Sequence, residues 1–322
     1  MRCAAHCEVG SSMKLSIVAS MYLSAPYLRE FWGRCREAAR QVAGEDFEII
    51  LVNDDSPDDS LAIALDLRKQ DGNIVVIDLS RNFGHHKAMM TGLMHARGER
   101  VFLIDCDLEE PPEVLVEWWD RLDANTDLDV IYGVQPSRKG GAFERISGWL
   151  FYRIINALSL QTLPANTIVA RLMTARYVHA LTEHRDQEMY LFGLLILTGF
   201  RQEAAKVIKH NKGSSAYTLR RRVSLFVNAI TNFSNSPLYA IFYLGLSISV
   251  FSLLSILFLI MNWFFFSGSS VTGWTSLAVS IWALGGLVLT SVGVIGIYLA
   301  KIFAETKPRP LTVVRQVFGR LD

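Results

Sequence analysis

Three carboxylates follow a hydrophobic run in the segment VFLIDCDLEEPPE, and their types and spacing could support metal chemistry. Asp105, Asp107 and Glu109 occupy alternate positions, so in an extended backbone they share one face and can converge on one point. Hard oxygen ligands of this kind suit Mg²⁺ or Mn²⁺, which commonly bridges to substrate phosphates. The same acids could instead cap a helix that starts near Pro112, because acidic side chains favour a helix N-terminus.

The elements that must position these acids are short apolar runs that alternate with amphipathic stretches between residues 14 and 134. This alternation is typical of a parallel sheet covered by helices on both faces, so we predict an α/β fold. Ligands of such sheets bind at the carboxyl ends of the strands. Besides the three acids above, the residues that directly follow the apolar runs are Asp54, Asp55, Arg81 and Asn82.

Two uncharged stretches follow the charged part of the chain. Residues 237–266 and 274–300 contain no Asp, Glu, Lys or Arg, and about 20 apolar residues are enough to cross roughly 30 Å of hydrocarbon. They predict a hairpin of two transmembrane helices. Arginines at 220–222 precede the first span and basic residues follow the second from Lys301 onward. By the positive-inside rule, we expect a multi-pass protein of the inner (cytoplasmic) membrane with its globular domain and both termini in the cytoplasm.

The other domain boundaries follow from changes in composition. Residues 1–12 are interpreted as an unstructured or non-native extension, and 13–222 as the cytoplasmic globular domain. Within that domain, the apolar periodicity over about 143–160 predicts either a helix in the membrane interface or a helix packed on the sheet. Residues 223–236 are expected to form a juxtamembrane helix, and 301–322 a cytoplasmic C-terminal tail.

Charge and cysteine content exclude some classes of protein. The 322 residues include 32 basic and 31 acidic side chains, which argues against nucleic acid as a main partner. The four cysteines form no C-x-x-C pair, so we expect free thiols in a reducing compartment.

The adjacent His85 and His86 begin a helix, where neighbouring side chains point apart. For these two residues we expect a solvent-facing or capping pair, in preference to a metal site.

Several motifs, in order along the chain, resemble glycosyltransferase family 2 in its polyprenyl-phosphate branch, which is similar to dolichyl-phosphate mannose synthase. The resemblance covers Lys14 to about Pro310, and its motifs are NDDSPDDS, LSRNFGHHKAMMTGLMHARGE, DCDLEEPPE, FYRIINALS, ARLMTARYVHAL, KGSSAYTL and FSNSPL. It implies a GT-A fold, a Rossmann-like sheet that binds nucleotide sugars. It also implies metal-dependent transfer, with Mg²⁺ or Mn²⁺, of a sugar from a nucleotide-sugar donor to a polyprenyl phosphate in the bilayer. We further expect a homo-oligomer.

The resemblance also implies roles for single residues. Asp105 and Asp107 match the acids that hold the metal and the diphosphate, and Glu109 lies near the metal where the family often has Gln. These two aspartates and Arg171 are the expected catalytic residues. The residues expected at the donor are Tyr22, Asp54, Asp55, Arg81 and Asn82. Of these, either Asp54 or Asp55 is expected to contact the base or the ribose. The residues expected at the acceptor phosphate are Arg145, Ser147, Lys209 and Lys212.

Three departures from the family pattern bear on the acceptor and the donor. The segment ASMYLSA keeps Tyr22 but lacks the Asn and Glu that follow it in the family, and Gln135 stands where an arginine is common. Val169, in IVARLM, occupies a position that is usually acidic. A phosphate monoester has a second pKa of about 6, so at neutral pH it is largely dianionic and needs little help from a base. Val169 therefore favours a phosphate acceptor.

Two alternatives remain open. The first is a transferase that uses another membrane lipid as acceptor, although a hydroxyl acceptor would need a base. The second is a catalytically inactive partner that binds or translocates lipids. The intact D-x-D disfavours the second alternative, and two uncharged spans offer no polar pathway unless they oligomerise.

Overall fold

The computed structural model describes residues 13–135, 167–184, 186, 191–208, 238, 241–248, 250, 254, 261, 273–307 and 309–319. They fall into two compact units, one with the residues up to 208 together with 309–319, the other with those from 238 to 307. The extension predicted at 1–12, the helix predicted at about 143–160 and the juxtamembrane helix predicted at 223–236 lie outside the described residues.

The first unit is built from alternating strands and helices. In chain order they are β1 (Met13–Met21), α1 (Leu28–Ala43), β2 (Phe47–Asn53), α2 (Ser60–Gln70), β3 (Ile74–Leu79), α3 (His85–His95), β4 (Gly98–Leu103), α4 (Val114–Ala124), β5 (Val130–Val134), β6 (Thr167–Thr174), α5 (Ala175–Thr182), α6 (Leu191–Leu197), β7 (Gln202–Lys206) and β8 (Val314–Phe318).

The strands form one sheet in the order β7-β5-β6-β4-β1-β2-β3-β8. The pairs β1–β2, β1–β4, β2–β3 and β5–β7 are parallel, whereas β6 runs antiparallel to β4 and β5, and β8 runs antiparallel to β3. The chain moves outward from β1 to β3 and then returns to the other side of β1 for β4. Ligands of open α/β sheets bind where the strand order reverses in this way. The predicted mostly parallel α/β sheet is therefore confirmed.

Burial explains why these segments form the centre of the sheet. Every residue of β2 (FEIILVN) and of β3 (IVVIDL) is buried, as expected for parallel strands covered on both faces. Alternate side chains of each strand enter two different cores. The helices α1, α2 and α4 contribute to one core, and α3, α5 and α6 contribute to the other. The two layers of helices hold the strand ends, and the loops that follow them, in place.

The second unit contains a long apolar helix, α7 (Trp274–Glu305). Its segment Leu284–Glu305 has a mean hydropathy of 2.0 and none of its most apolar stretch is buried, so it is long and apolar enough to cross a membrane. No other helix in the described part of the chain meets that test. Residues 241–248, inside the first predicted span, are helical and carry exposed apolar side chains, but the two-helix hairpin is not confirmed.

The C-terminal segment contains structure that the sequence analysis did not predict. The helix α7 continues to Glu305, beyond the predicted end of the second span at residue 300. After it, β8 pairs with β3, with Ile77 opposite Val317 and Asp78 opposite Gln316. What was interpreted only as a tail therefore supplies the last strand of the sheet, and it covers the edge that β3 would otherwise expose.

Candidate functional site

The loops at the carboxyl ends of β1, β2 and β4 contain strained backbone. Leu23 (φ 56°), Asp55 (φ 52°) and Leu108 (φ 58°) adopt left-handed conformations, and no other non-glycine residue in the described ranges has a positive φ. This conformation is unfavourable for residues with a Cβ, and it clusters at binding sites when the surrounding structure enforces it. The strain therefore marks the same edge of the sheet that the strand order indicates.

The two adjacent acids after β2 have different environments. Asp54 is buried, and its carboxylate accepts hydrogen bonds from the backbone N–H of Phe83 (2.7 Å) and of Gly84 (2.9 Å). Burial raises the pKa of Asp54, and the two hydrogen bonds oppose that shift. Asp55 is exposed, and its Oδ1 lies 3.3 Å from Nη2 of Arg315. Asp54 thus holds the loop between β3 and α3, whereas Asp55 is the acid that a ligand at this edge can reach.

A hydrogen-bonded cluster around Asp58 joins the loops after β1 and β2, and the sequence analysis missed it. The Asp58 carboxylate accepts from the Ser56 hydroxyl (2.6 Å), the Ser60 hydroxyl (2.5 Å), the Ser60 N–H (3.1 Å) and the Ala25 N–H (3.1 Å). Burial opposes ionisation of Asp58, but these donors together lower its pKa to about 2. The signal in the sequence was S-P-D-D-S before a helix, since such residues bond to nearby backbone.

The remaining expected donor residues lie on the surface of the same edge. Tyr22 is half exposed, and its backbone N–H donates to the Ser24 hydroxyl at 3.1 Å. Arg81 and Asn82 are both exposed after β3. The Arg81 guanidinium donates to the Asn82 carbonyl at 3.2 Å and lies 4.1 Å from the centre of the Phe83 ring. Their exposure leaves these side chains accessible to a ligand.

The D-x-D segment forms a turn, so the extended backbone assumed for it in the sequence analysis is wrong. The strand β4 ends at Leu103, and the Asp107 carboxylate accepts the backbone N–H of Glu109 at 3.0 Å. Within the described ranges no three His, Cys, Asp or Glu side chains are grouped closely enough to hold a metal ion. The cluster of three carboxylates that includes Glu109 is therefore not found. Metal binding by Asp105 and Asp107 stays a prediction.

The His85 side chain is 45% exposed, as expected for a solvent-facing residue, and it also contacts the first acid of the D-x-D, which was not predicted. Its Nε2 lies 3.3 Å from Oδ1 of Asp105, and its Nδ1 lies 2.9 Å from the hydroxyl of Ser20. This chain of contacts joins the ends of β1 and β4 to the start of α3. The sequence feature that could have predicted this contact is the position of His85, which begins the helix after β3 at the same edge of the sheet.

Arg171, expected as a catalytic residue, is buried in β6. Burial lowers its pKa, and its guanidinium donates to the carbonyls of Val169 and Ile168, both at 3.2 Å. Glu110, which the sequence analysis did not single out, is also buried and accepts the N–H groups of Val169 (3.1 Å) and Ala170 (2.8 Å). These contacts hold the start of β6 against the D-x-D turn, and a catalytic role for Arg171 stays a prediction.

The residues expected at the acceptor phosphate, Arg145, Ser147, Lys209 and Lys212, lie outside the described residues. The structure therefore describes the carboxyl edge of the sheet where the donor is expected, called the donor edge below, with Tyr22, Asp55, Arg81 and Asn82 around it. Asp105 and Asp107 lie on the turn that follows β4 at the same edge.

Comparisons with known proteins identify the family. The model of glycosyl transferase family 2 matches residues 16–181. The chain is 46% identical over 307 residues to a protein of Mycobacterium tuberculosis (strain CDC 1551 / Oshkosh) named "Putative glycosyltransferases", covering 95% of this chain and 89% of that protein. It is 29% identical over 305 residues to the bactoprenol glucosyl transferase of Shigella phage SfV, covering 94% of this chain and 98% of that protein.

Among solved structures, the mannosyltransferase PcManGT from Pyrobaculum calidifontis, in complex with GDP-Man and Mn²⁺, is 16% identical with a TM-score of 0.47 and covers 92% of this chain and 86% of that one. The family rests on the sequence matches, which agree with the mostly parallel GT-A-like sheet. The chain therefore belongs to glycosyl transferase family 2 and is a glycosyltransferase.

Proposed function

We propose that this enzyme transfers a sugar from a nucleotide-sugar donor to a polyprenyl phosphate at the cytoplasmic face of the membrane. The product would be a lipid-linked monosaccharide for cell-surface glycans. The observation that carries the proposal is the contact of His85 with Asp105, which brings the D-x-D turn to the edge of the sheet where the donor is expected to bind. The polyprenyl acceptor is supported by the similarity to bactoprenol glucosyl transferases, which extends over 94% of this chain.

The donor nucleotide is expected beside the exposed carboxylate of Asp55, with Tyr22 and Arg81 nearby. Asp54 is left with a structural role, because its carboxylate is buried and already accepts two backbone N–H groups. Asp105 and Asp107 would hold Mg²⁺ or Mn²⁺, since two carboxylates on one turn supply hard oxygen ligands and leave room for phosphate oxygens. When bound, the ion would neutralise negative charge that develops on the departing nucleoside diphosphate.

The acceptor phosphate is expected to act as its own nucleophile. One of its oxygens attacks the anomeric carbon of the sugar, and the bond from that carbon to the nucleoside diphosphate breaks, with the electron pair leaving on the diphosphate. The phosphate is already dianionic at neutral pH, so no proton has to be removed. Val169 is apolar at the usual acidic position, and the nearby Glu110 is buried and bound to backbone N–H groups. Arg145, Lys209 and Lys212 are proposed to position the phosphate.

The membrane anchor is proposed to be a hairpin of α7 with a helix in 237–266. The exposed apolar surface of α7 supports this assignment, because a helix that is apolar all round needs an apolar environment. Both ends of such a hairpin would lie on the cytoplasmic side, as the basic flanks predict. A homo-oligomer stays a prediction.

The test uses the full chain in detergent or lipid nanodiscs with undecaprenyl phosphate, Mn²⁺ or Mg²⁺, and a panel of radiolabelled nucleotide sugars. We expect label from one donor to enter the organic phase, and chelation of the metal to abolish transfer. Asp107→Ala should reduce transfer at least about a hundredfold, because charge on the leaving group is no longer neutralised. Asp46→Ala is the matched control, since Asp46 is an exposed acid before β2, at the opposite end of the sheet.

Three outcomes distinguish the proposal from its alternatives. Label found only in another lipid would indicate a different acceptor. Lipid binding that is unaffected by Asp107→Ala, with no transfer from any donor, would indicate an inactive lipid-binding partner. The proposal is wrong if no donor transfers its sugar and no nucleotide binds.

A further inference from the structure

The segment 309–319 is attached to the donor edge of the sheet by contacts along its length. The backbone N–H of Ser80 donates to the Val313 carbonyl at 2.9 Å, and the hydroxyls of Thr91 and Thr312 are 2.7 Å apart. Three of its apolar side chains pack against the core on the α3 side of the sheet: Leu311, Val314 and Val317. The segment that follows α7 is therefore an integral part of the sheet at the carboxyl end of β3.

Arg315, at the centre of this segment, links three groups at the donor edge. Its Nη1 donates to Oδ2 of Asp78 at 2.9 Å, and its Nη2 donates to the Ser80 carbonyl at 2.9 Å. The same Nη2 lies 3.3 Å from Oδ1 of Asp55. Asp78 is buried and also accepts a hydrogen bond from the Asn53 amide at 2.7 Å. A buried carboxylate is stabilised by hydrogen-bond donors, and charged donors bind it most strongly, so Asp78 holds the guanidinium in place.

The contact with Asp55 has little value for stability, because the Arg315 side chain is 50% exposed and that of Asp55 is 45% exposed. Exposed ion pairs contribute at most about 1 kcal/mol. The contact matters more for the position of the Asp55 side chain than for stability, because it restrains a carboxylate whose backbone is in the left-handed region at φ 52°. A ligand that binds a pre-positioned group avoids the entropic cost of ordering it.

We propose that Arg315 is a positioning residue of the donor site, and that through it the C-terminal segment sets the affinity for the nucleotide. The inference rests on the proposed function, in which Asp55 faces the nucleotide. Asp78 anchors one side of the planar guanidinium fork, and the other side holds the Asp55 carboxylate toward the ligand. The strand after the membrane helix thereby becomes part of the nucleotide site, although it is more than 200 residues from Asp55 in sequence.

The test is titration calorimetry of the full chain in detergent with UDP and, separately, GDP, each with Mn²⁺. Arg315→Gln should raise the Kd of the nucleotide up to about fivefold, because an exposed ion pair worth at most about 1 kcal/mol no longer holds the Asp55 carboxylate in place. In the transfer assay it should raise the donor KM and leave the acceptor KM unchanged. Arg315→Lys keeps the charge but lacks the planar fork, so its Kd should be intermediate. Asp55→Asn combined with Arg315→Gln should bind no more weakly than Asp55→Asn alone, because both remove the same contact.

The matched control is Arg40→Gln, which removes a partly exposed ion pair (Arg40 to Glu45, 2.9 Å) at the far end of α1 and should leave the Kd unchanged. Thermal unfolding of each variant checks that it is folded, and Arg315→Lys supplies the comparison if Arg315→Gln does not fold. The inference is overturned if the wild type binds nucleotide and both Arg315 variants bind it equally well. A wild type that binds no nucleotide overturns the proposed function and this inference with it.

Discussion

Replacing Asp58 with Asn should destabilise the protein in a pH-dependent way, because one carboxylate holds two loops of the proposed donor site. The substitution keeps the shape of the side chain but removes the charge that accepts hydrogen bonds from Ser56, Ser60 and Ala25. An ordinary aspartate has a pKa of 3.8, whereas that of Asp58 is about 2. This difference corresponds to ~2.4 kcal/mol of folding free energy when fully expressed. Because Asp58 is partly exposed, solvent screening reduces the expected loss to about 1–2 kcal/mol.

The direction of the pH dependence follows from the lowered pKa. Between about pH 2 and pH 3.8 the unfolded chain binds a proton at Asp58 that the folded protein does not. The stabilisation is therefore fully present above pH 3.8 and is lost as the pH falls toward 2. Urea unfolding at pH 7 should show the full difference between Asp58→Asn and wild type, and unfolding at pH 3 should show a smaller one.

The matched control for this experiment is Asp59→Asn, because Asp59 is the exposed neighbour and makes no side-chain hydrogen bond at the start of α2. It should change the free energy of unfolding by less than about 0.5 kcal/mol at either pH. Since the same loops carry Tyr22 and Asp55, Asp58→Asn should also raise the donor KM. A stabilising role of the Asp58 carboxylate is contradicted if the two variants are equally stable at pH 7, or if the loss of stability in Asp58→Asn is the same at pH 3.

Two further predictions concern the D-x-D turn. His85→Ala should weaken Mn²⁺ binding in the presence of nucleotide roughly tenfold, because His85 contacts Asp105 and such partners orient metal ligands. His86→Ala is the control and should leave Mn²⁺ binding unchanged. Titration with Mn²⁺, followed by electron paramagnetic resonance, measures the affinity of both variants. An equal effect of the two substitutions would contradict the assignment. Glu110→Ala should lower the free energy of unfolding by about 2–4 kcal/mol, since two backbone N–H groups of β6 lose a buried acceptor, whereas Glu109→Ala should change it little; urea unfolding measures both.

The central sheet could be predicted from the sequence because its strands are buried on both faces. Continuous apolar runs such as FEIILVN and IVVIDL, when they alternate with amphipathic stretches, are typical of buried parallel strands and of few other structures. The last strand could not be predicted in this way. β8 is only 5 residues long, is partly exposed, and pairs with a strand more than 230 residues earlier. No local pattern in the sequence therefore indicates it, and its pairing depends on tertiary contacts.

At the site, the sequence located the acids but could not assign their individual environments. Asp54 and Asp55 are chemically identical neighbours, and only the course of the backbone buries one carboxylate, where it accepts the N–H of Phe83, and turns the other outward. The D-x-D segment has alternate acids in sequence, but the chain turns after Leu103 and the predicted convergence does not follow. Local spacing determines a common face only while the backbone stays regular.

The family, the α/β sheet and the positions of the loops at its carboxyl edge could all be predicted from the amino-acid sequence, because hydrophobic periodicity and motif order are local properties. The sequence also identified an apolar segment long enough to span a membrane. Which side chains meet depends on the folded chain. Ser20 reaches His85, His85 reaches Asp105, and Arg315 returns to Asp55, all across long separations in the chain. Such contacts depend on the order of the strands in the sheet and on the conformation of the loops after them, and the spacing of nearby residues in the sequence predicts neither.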